Sequence, residues 1–164
     1  MAHFYSTEIE GAKALGRDLP ISFKHSVEVC RFVKGKNVHL AKQQLKEVIE
    51  LKRAVPYRRF NQDLGHKRGM MSGRYPVKTT QYILKLIESA EKNAQFKGMN
   101  TEKLTIIHIA AHKASRPAHG GRHRGRAMKR AHIELIVQEI VQVQRKMDKK
   151  EAQKKEIRTT GDHR

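Results

Sequence analysis

The sequence predicts an α+β fold: three helices packed on a small antiparallel sheet, with a long protruding basic β-hairpin. Three observations carry this. Apolar residues recur at helical spacing over about 22–34, about 38–53 and from Pro76 towards Gly98. Two apolar segments, Leu104 to Ala111 and Ala131 to Ile140, have the character of strands. Between them lies KASRPAHGGRHRGRAMKR, Lys113 to Arg130, with seven Lys/Arg, two His, three Gly and no acid. Such a tract cannot build a core, so the flanking strands carry it outward as the end of a hairpin.

Residues 1 to 19 are mixed. Phe4 and Tyr5 can add a short strand, while Gly11 and Gly16 are expected to break any longer element. Ser22 suits a helix N-cap, Val27, Cys30 and Val33 or Lys34 fall on one face, and Gly35 is placed to close the helix as a left-handed cap. Asn37 can cap a second helix with the stripe Ala41, Leu45, Val48 and Ile49; it must stop near Ala54, because Pro56 disfavours helical geometry at Val55. From Tyr57 to Tyr75 the run YRRFNQDLGHKRGMMSGRY has no sustained period and reads as an irregular basic loop, with Met70 and Met71 either sticky or packed against the helices. Pro76 suits the first turn of the third and longest helix, with Ile83, Leu86, Ile87, Ala90 and Ala94 on one face and Gly98 closing it. In the last apolar segment Ile133, Leu135 and Val137 alternate with His132, Glu134 and Gln138, and only Ile136 breaks the pattern, which suggests a half-buried pair. Beyond Val143 a solvated helix and a frayed tail are both open. The chain divides into a globular part (1–112 and 131–141), a basic hairpin tip (113–130) and a charged tail (142–164).

With 164 residues, a formal charge of +19 and 38% hydrophobic residues, the chain fits one domain with basic extensions. Tryptophan is absent and aromatics make up 5%, so contact with a nucleic-acid backbone is expected over base stacking. A single cysteine, Cys30, rules out an internal disulfide and a multi-cysteine zinc site. No stretch has the form of a signal peptide or a membrane span, so a cytoplasmic protein is expected. Glu8, Glu10, Glu88 and Glu91 do not converge in any defensible spacing, and no phosphate-loop or dinucleotide signature occurs. Cys30 lies a little over one turn from His25, yet a buried, inert thiol is the commoner case. Five histidines (His108, His112, His119, His123 and His132) surround the arm; four-residue spacing in a strand sets rings roughly 13 Å apart, so no metal is expected. Neither a catalytic constellation nor a cofactor is implied.

Seven cations crowded at a hairpin end repel one another, and a two-stranded ribbon alone is marginal in water. Phosphates would remove the repulsion, release counterions and supply acceptors for guanidinium forks. The arm candidates are Lys113, Arg116, Arg122, Arg124, Arg126, Lys129 and Arg130; Arg58, Arg59, His66, Lys67, Arg68 and Arg74 of the basic loop would add backbone contacts. An arm half of about ten residues reaches on the order of 30 Å, enough to penetrate a folded RNA. A DNA-bending β-arm is the rival reading, but such arms usually carry an apolar wedge, and this tip offers only Pro117 and Met128, weakly placed.

The order of elements, together with LPISFKHSVEVCRFVKGK (19–36), VPYRRFNQDLGHKRG (55–69), GRYPVK (73–78), NAQFKGMNTEKLTIIHIAAHK (93–113) and HIELIV (132–137), resembles large-subunit ribosomal protein twenty-two, called L seventeen in eukaryotes. The resemblance covers about residues 3 to 140 and is archaeal in flavour. It implies a globular part on the solvent side of the large subunit beside the peptide exit and a hairpin threading between segments of large-subunit rRNA. It further implies neighbouring ribosomal proteins including protein L four, and a tip lining the tunnel against the nascent peptide. On this likeness the tip is Pro117, Ala118, His119, Gly120, Gly121 and Arg122. The family's Pro-Arg-Ala-x-Gly-Arg is matched best by PAHGGR (117–122), where Ala118 and His119 replace the arginine and alanine, or in a second register by GRHRGR (121–126). The implied activity is scaffolding and assistance to subunit assembly, without turnover.

Overall fold

The computed structural model describes residues 5–139. In chain order they form β1 (Ala12–Leu19), α1 (Phe23–Val33), α2 (Val38–Ile49), β2 (Val55–Pro56), β3 (His66–Lys67), β4 (Met70–Arg74), α3 (Val77–Phe96), β5 (Leu104–Lys113) and β6 (Ala131–Glu139). The α+β class predicted from the sequence holds. The main sheet is antiparallel in the order β1-β6-β5, and α3 and α1 lie against it. Phe4, Ile140 and the charged tail lie outside the described residues.

β1 runs through Gly16, which corrects the expectation that this glycine breaks the N-terminal region, while Gly11 lies just before the strand. Both glycines are packing residues. A Cβ on Gly16 would stand 2.8 Å from Leu19 Cδ1 and 3.2 Å from Leu86 Cδ1, so its bareness lets α3 sit close to the sheet. Gly11, at φ 152°, lies so close to β6 that a Cβ would fall 2.5 Å from the Val137 carbonyl oxygen. The pairing slips between Gly16 and Leu19, where Asp18 adopts φ 50° and its N–H donates to His132 Nδ1 at 3.0 Å.

The central strand β6 is buried on both faces, which corrects the half-buried reading and explains Ile136. Ile133, Leu135 and Val137 join the core with Ile83 and Ile87 of α3. Glu134, Ile136 and Gln138 face the other way and are buried as well. Ser6, in the segment before β1, bonds to the Glu134 carboxylate, so part of the cover on that face comes from the chain's own N-terminal segment.

α1 and α2 begin as predicted, α3 begins one residue after Pro76, and all three end for local reasons. Ser22 holds the N-cap position of α1 without a side-chain cap bond, and Gly35 follows its end at φ 78°. The buried face of α1 comprises Ser26, Glu28, Val29, Cys30 and Val33, turned from the expected Val27 stripe. Gly35 N–H donates to Ile106 O and Ile106 N–H to Lys36 O, both at 2.9 Å, so the α1–α2 connection covers the outer edge of β5. Asn37 caps α2 by accepting from His39 N–H at 2.9 Å. α2 ends at Ile49, short of the expected 53, because Leu51 takes a left-handed conformation at φ 63°. Pro76 is the residue just before α3, its carbonyl accepting from Thr80 N–H; Ile83, Ile87, Ala90 and Ala94 are buried and Gly98 follows at φ 72°.

The region expected to be an irregular loop is a second small antiparallel sheet, ordered β2-β4-β3. Val55 pairs with Arg74, Pro56 with Gly73, and Tyr57 N–H extends the ladder to Ser72 O at 2.9 Å. Two-residue strands are too short to show a period, so the sequence hides them.

The hairpin ladder runs on past Lys113. Ala114 N–H donates to Arg130 O at 3.4 Å, Met128 N–H to Pro117 O and His119 N–H to Arg126 O, each at 2.8 Å, and Ala118 bridges Ala127. The chain reverses through a 3-10 turn, Gly121–His123, entered with Gly121 at φ 59°, and a following turn that Arg126 N–H closes on His123 O at 2.9 Å.

Candidate nucleic-acid interface

The loop cations are held by a carboxylate that sequence reading overlooked. Glu28 of α1 is 1% exposed. Its Oε1 accepts the backbone N–H of Arg59 at 2.8 Å and of Phe60 at 2.9 Å, and its Oε2 that of Arg58 at 3.2 Å. Three donors converging on one buried acid fix the backbone of 58–60 and leave the side chains of Arg58 and Arg59 exposed. The only local hint is an acid flanked by valines in SVEVC; its partners lie some thirty residues on.

The fold brings the loop and the base of the hairpin together around two aromatic rings. Phe23, the first residue of α1, meets Phe60 edge-on at 6.3 Å between centroids. Lys113 Nζ lies 5.7 Å from the Phe23 centroid; Lys24 Nζ and Arg59 Cζ lie 5.7 and 5.6 Å from that of Phe60. A cavity of about 390 Å³ beside the pair is lined by Lys24, Lys113, Arg116, Lys129 and Arg130, along with Ser22, Phe23 and Ala114. A second, of about 480 Å³, shares Lys24 and adds Arg59 and Arg74. Together these form one cationic face from β4 across the start of α1 to the hairpin base. Neither cavity is lined by an acid.

Other predicted cations stand apart. His66 and Lys67 reach a shallow hollow they share with Arg74, and Lys67 Nζ lies 5.3 Å from the Tyr75 ring. Arg58 faces Arg31, Phe32 and Pro56 across another hollow, which Glu28 also lines, so this one does hold an acid. Arg68 is exposed next to Gly69 in the β3–β4 turn. Arg122, Arg124 and Arg126 are exposed along the arm beyond the globular part, while Lys129, also exposed, stays at the cavity by the hairpin base. Sequence reading missed Phe23, Lys24 and Phe60; FKH after a helix cap is too short a signal to single out.

The arm histidines have other partners. His108 and His112, expected to lie apart on the strand, both reach Glu134 Oε1, at 2.8 and 3.1 Å, from the strand beside it. His119 and His123 meet edge-on at the tip, 6.4 Å between centroids. Among the described residues no group of three or more His, Cys, Asp or Glu could hold a metal ion. Burial pushes the Cys30 thiol up to about 12, so a nucleophilic thiolate is scarce at neutral pH.

Burial alone would raise the Glu134 carboxyl, but the Ser6 hydroxyl, His108 Nε2, the Ser6 backbone N–H and His112 Nε2 together hold it at about 2, below its ordinary 4.5. A carboxyl depressed in the folded state contributes stability that is fully present above pH about 4.5 and lost as pH falls towards 2. Urea melts from pH 5 to 2 should therefore show a loss of stability in the parent chain that Glu134→Gln lacks. Parallel curves for the two would rule this carboxylate out as a source of acid sensitivity.

The family described as Ribosomal protein L22p/L17e matches residues 14–142. Similar proteins include the large ribosomal subunit protein uL22 of Archaeoglobus fulgidus, 39% identical over 139 residues that cover 80% of this chain and 90% of that protein. Those of Thermofilum pendens and Methanococcoides burtonii are 41% and 43% identical, each over 145 residues that cover 83% of this chain and 96% of theirs.

Proposed function

The chain belongs to the ribosomal protein L22p/L17e family, and from that membership we propose that it is a structural constituent of the large ribosomal subunit that binds rRNA. Its globular part holds the subunit surface, its hairpin threads inward between rRNA segments and its tip lines the nascent-peptide exit tunnel. The single observation that carries this reading is a cationic face, free of acids at its cavities, that continues from the β2–β4–β3 sheet into an exposed arm without a carboxylate. A scaffold of this kind needs phosphate contacts placed on a rigid body. Here Glu28 fixes the loop backbone, and strand pairing carries the arm outward.

Arg58, Arg59, His66, Lys67, Arg68 and Arg74 hold rRNA at the surface, and Lys113, Arg116, Arg122, Arg124, Arg126, Lys129 and Arg130 neutralise phosphates deeper in. The bridge between Ala118 and Ala127 centres the hairpin end on Arg122 and His123. The tunnel-facing set, Pro117 to Arg122, therefore shares the apex with His123 and Arg124. Neighbouring ribosomal proteins including protein L four and the passing nascent peptide are the other partners, and early rRNA binding assists assembly. Among the described residues no helix is long and apolar enough to cross a membrane.

Competition at equal phosphate concentration separates this reading from a DNA-bending arm. Structured large-subunit rRNA should displace a labelled rRNA fragment at concentrations where plasmid DNA does not, and the full chain should co-sediment with large subunits. Equal competition by the two polyanions, or absence from the particles, would overturn the reading.

A further inference from the structure

We propose that the cavity of about 480 Å³ between α1 and the β2–β4 sheet is a subsite for one unpaired rRNA nucleotide, its base stacked on Phe60 and its phosphate held by Lys24, Arg59 and Arg74. The subsite rests on the rRNA-binding reading and deepens it. Four observations converge on a nucleotide. The volume is that of a small-molecule pocket, too small for a helix and ample for one base and sugar. Its cations lie over an aromatic ring: Lys24 Nζ and Arg59 Cζ are 5.7 and 5.6 Å from the Phe60 centroid, so a base that takes the ring face moves the cation there onto the attached phosphate. Gln62, also in the lining, carries both a donor and an acceptor for a base edge.

The fourth observation is an orphaned polar atom. Tyr57, 4% exposed, lines the cavity, and its hydroxyl is buried with no hydrogen-bond partner among the described residues. Leaving a buried hydroxyl unsatisfied is costly, and a protein retains one where something else completes it. The His25 ring rests edge-on against Tyr57, 5.8 Å between centroids, and is itself part of the lining. Glu28 is absent from the lining and has both oxygens engaged by the loop N–H groups; its charge reaches Tyr57, where Arg74 opposes it, and Lys24, Arg59 and Arg74 outnumber it around the cavity.

The test uses the full chain and a large-subunit rRNA fragment that it binds. Phe60→Leu should weaken binding roughly ten-fold through lost stacking, and Tyr57→Phe about three-fold through one lost hydrogen bond. Neither removes a cation, so the slope of log affinity against log salt should stay unchanged in both. Tyr57→Phe should leave the free protein's melting temperature unchanged or raised, since it deletes an unpaired hydroxyl. Base-specific chemical probing should find one unpaired base protected by the parent chain and reactive again with either variant. Should Phe60→Leu melt early, Tyr57→Phe decides alone. Parent-like affinity and protection in Tyr57→Phe overturns the subsite and leaves rRNA binding standing; a parent chain that protects no rRNA overturns both.

Discussion

Arg122, Arg124, Arg126 and Lys129, replaced together by alanine, are expected to cost the chain up to roughly a thousand-fold in affinity for large-subunit rRNA near physiological salt. Each cation that neutralises a phosphate releases counterions, so four lost contacts should also flatten the log–log salt dependence by up to about four units. The loss should be spread over many rRNA sequences, because these contacts position the protein and read no base. All four side chains are exposed, and the ladder bonds around them run between backbone groups, so the free protein should fold as before. Its melting temperature should hold or rise slightly as like charges at the hairpin end disappear. Filter binding over a salt series, with melting curves of the free proteins, measures both effects. An unchanged salt slope would show that the arm does not meet phosphate and would remove the physical basis of the assignment.

What was legible in the chain followed from repetition. Helical spacing in α2 and α3, the Asn37 cap, Gly35 and Gly98 after their helices, and the alternation of β6 each reflect a local preference written over several residues. What was hidden depended on single atoms meeting across the fold. Gly16 reads as a breaker until Leu86 of α3 is found over it, and the close approach of Gly11 to the Val137 carbonyl has no sign in the sequence. The β2–β4–β3 sheet escapes notice because its strands hold no more than a few residues. Apart from Lys24, the cations of the interface were readable one by one from composition. Their union around Phe23 and Phe60 was not, since it needs α1, the loop after β2 and the hairpin base in one place. Glu134 and Glu28, placed on a polar strand face and beside an apolar stripe, look like solvated acids; both are buried because backbone or histidine donors come to them from distant segments.

Glu28 carries the second large expectation. Glu28→Ala would leave the N–H groups of Arg58, Arg59 and Phe60 without their acceptor, which is itself only 1% exposed. The cost should be on the order of 3 kcal/mol, since bonds to a charged acceptor are among the stronger ones and unsatisfied donors add their own penalty. For a chain of this size that is about a 10 °C fall in melting temperature. Glu28→Gln should fall between parent and alanine variant: its amide oxygen can accept, but its NH₂ turns two donors toward donors already there. The damage should be local to function as well as global to stability. Below its melting temperature the alanine variant should bind rRNA more weakly, because Arg59 no longer sits beside Phe60 and Lys24, while amide exchange in the β5–β6 hairpin stays as slow as in the parent. A Glu28→Ala chain melting within a degree or two of the parent would mean that water satisfies the loop donors. The carboxylate would then not be what fixes the interface, and the rigidity of residues 58–60 would have to come from the Tyr57–Ser72 ladder bond and the Phe23–Phe60 contact alone.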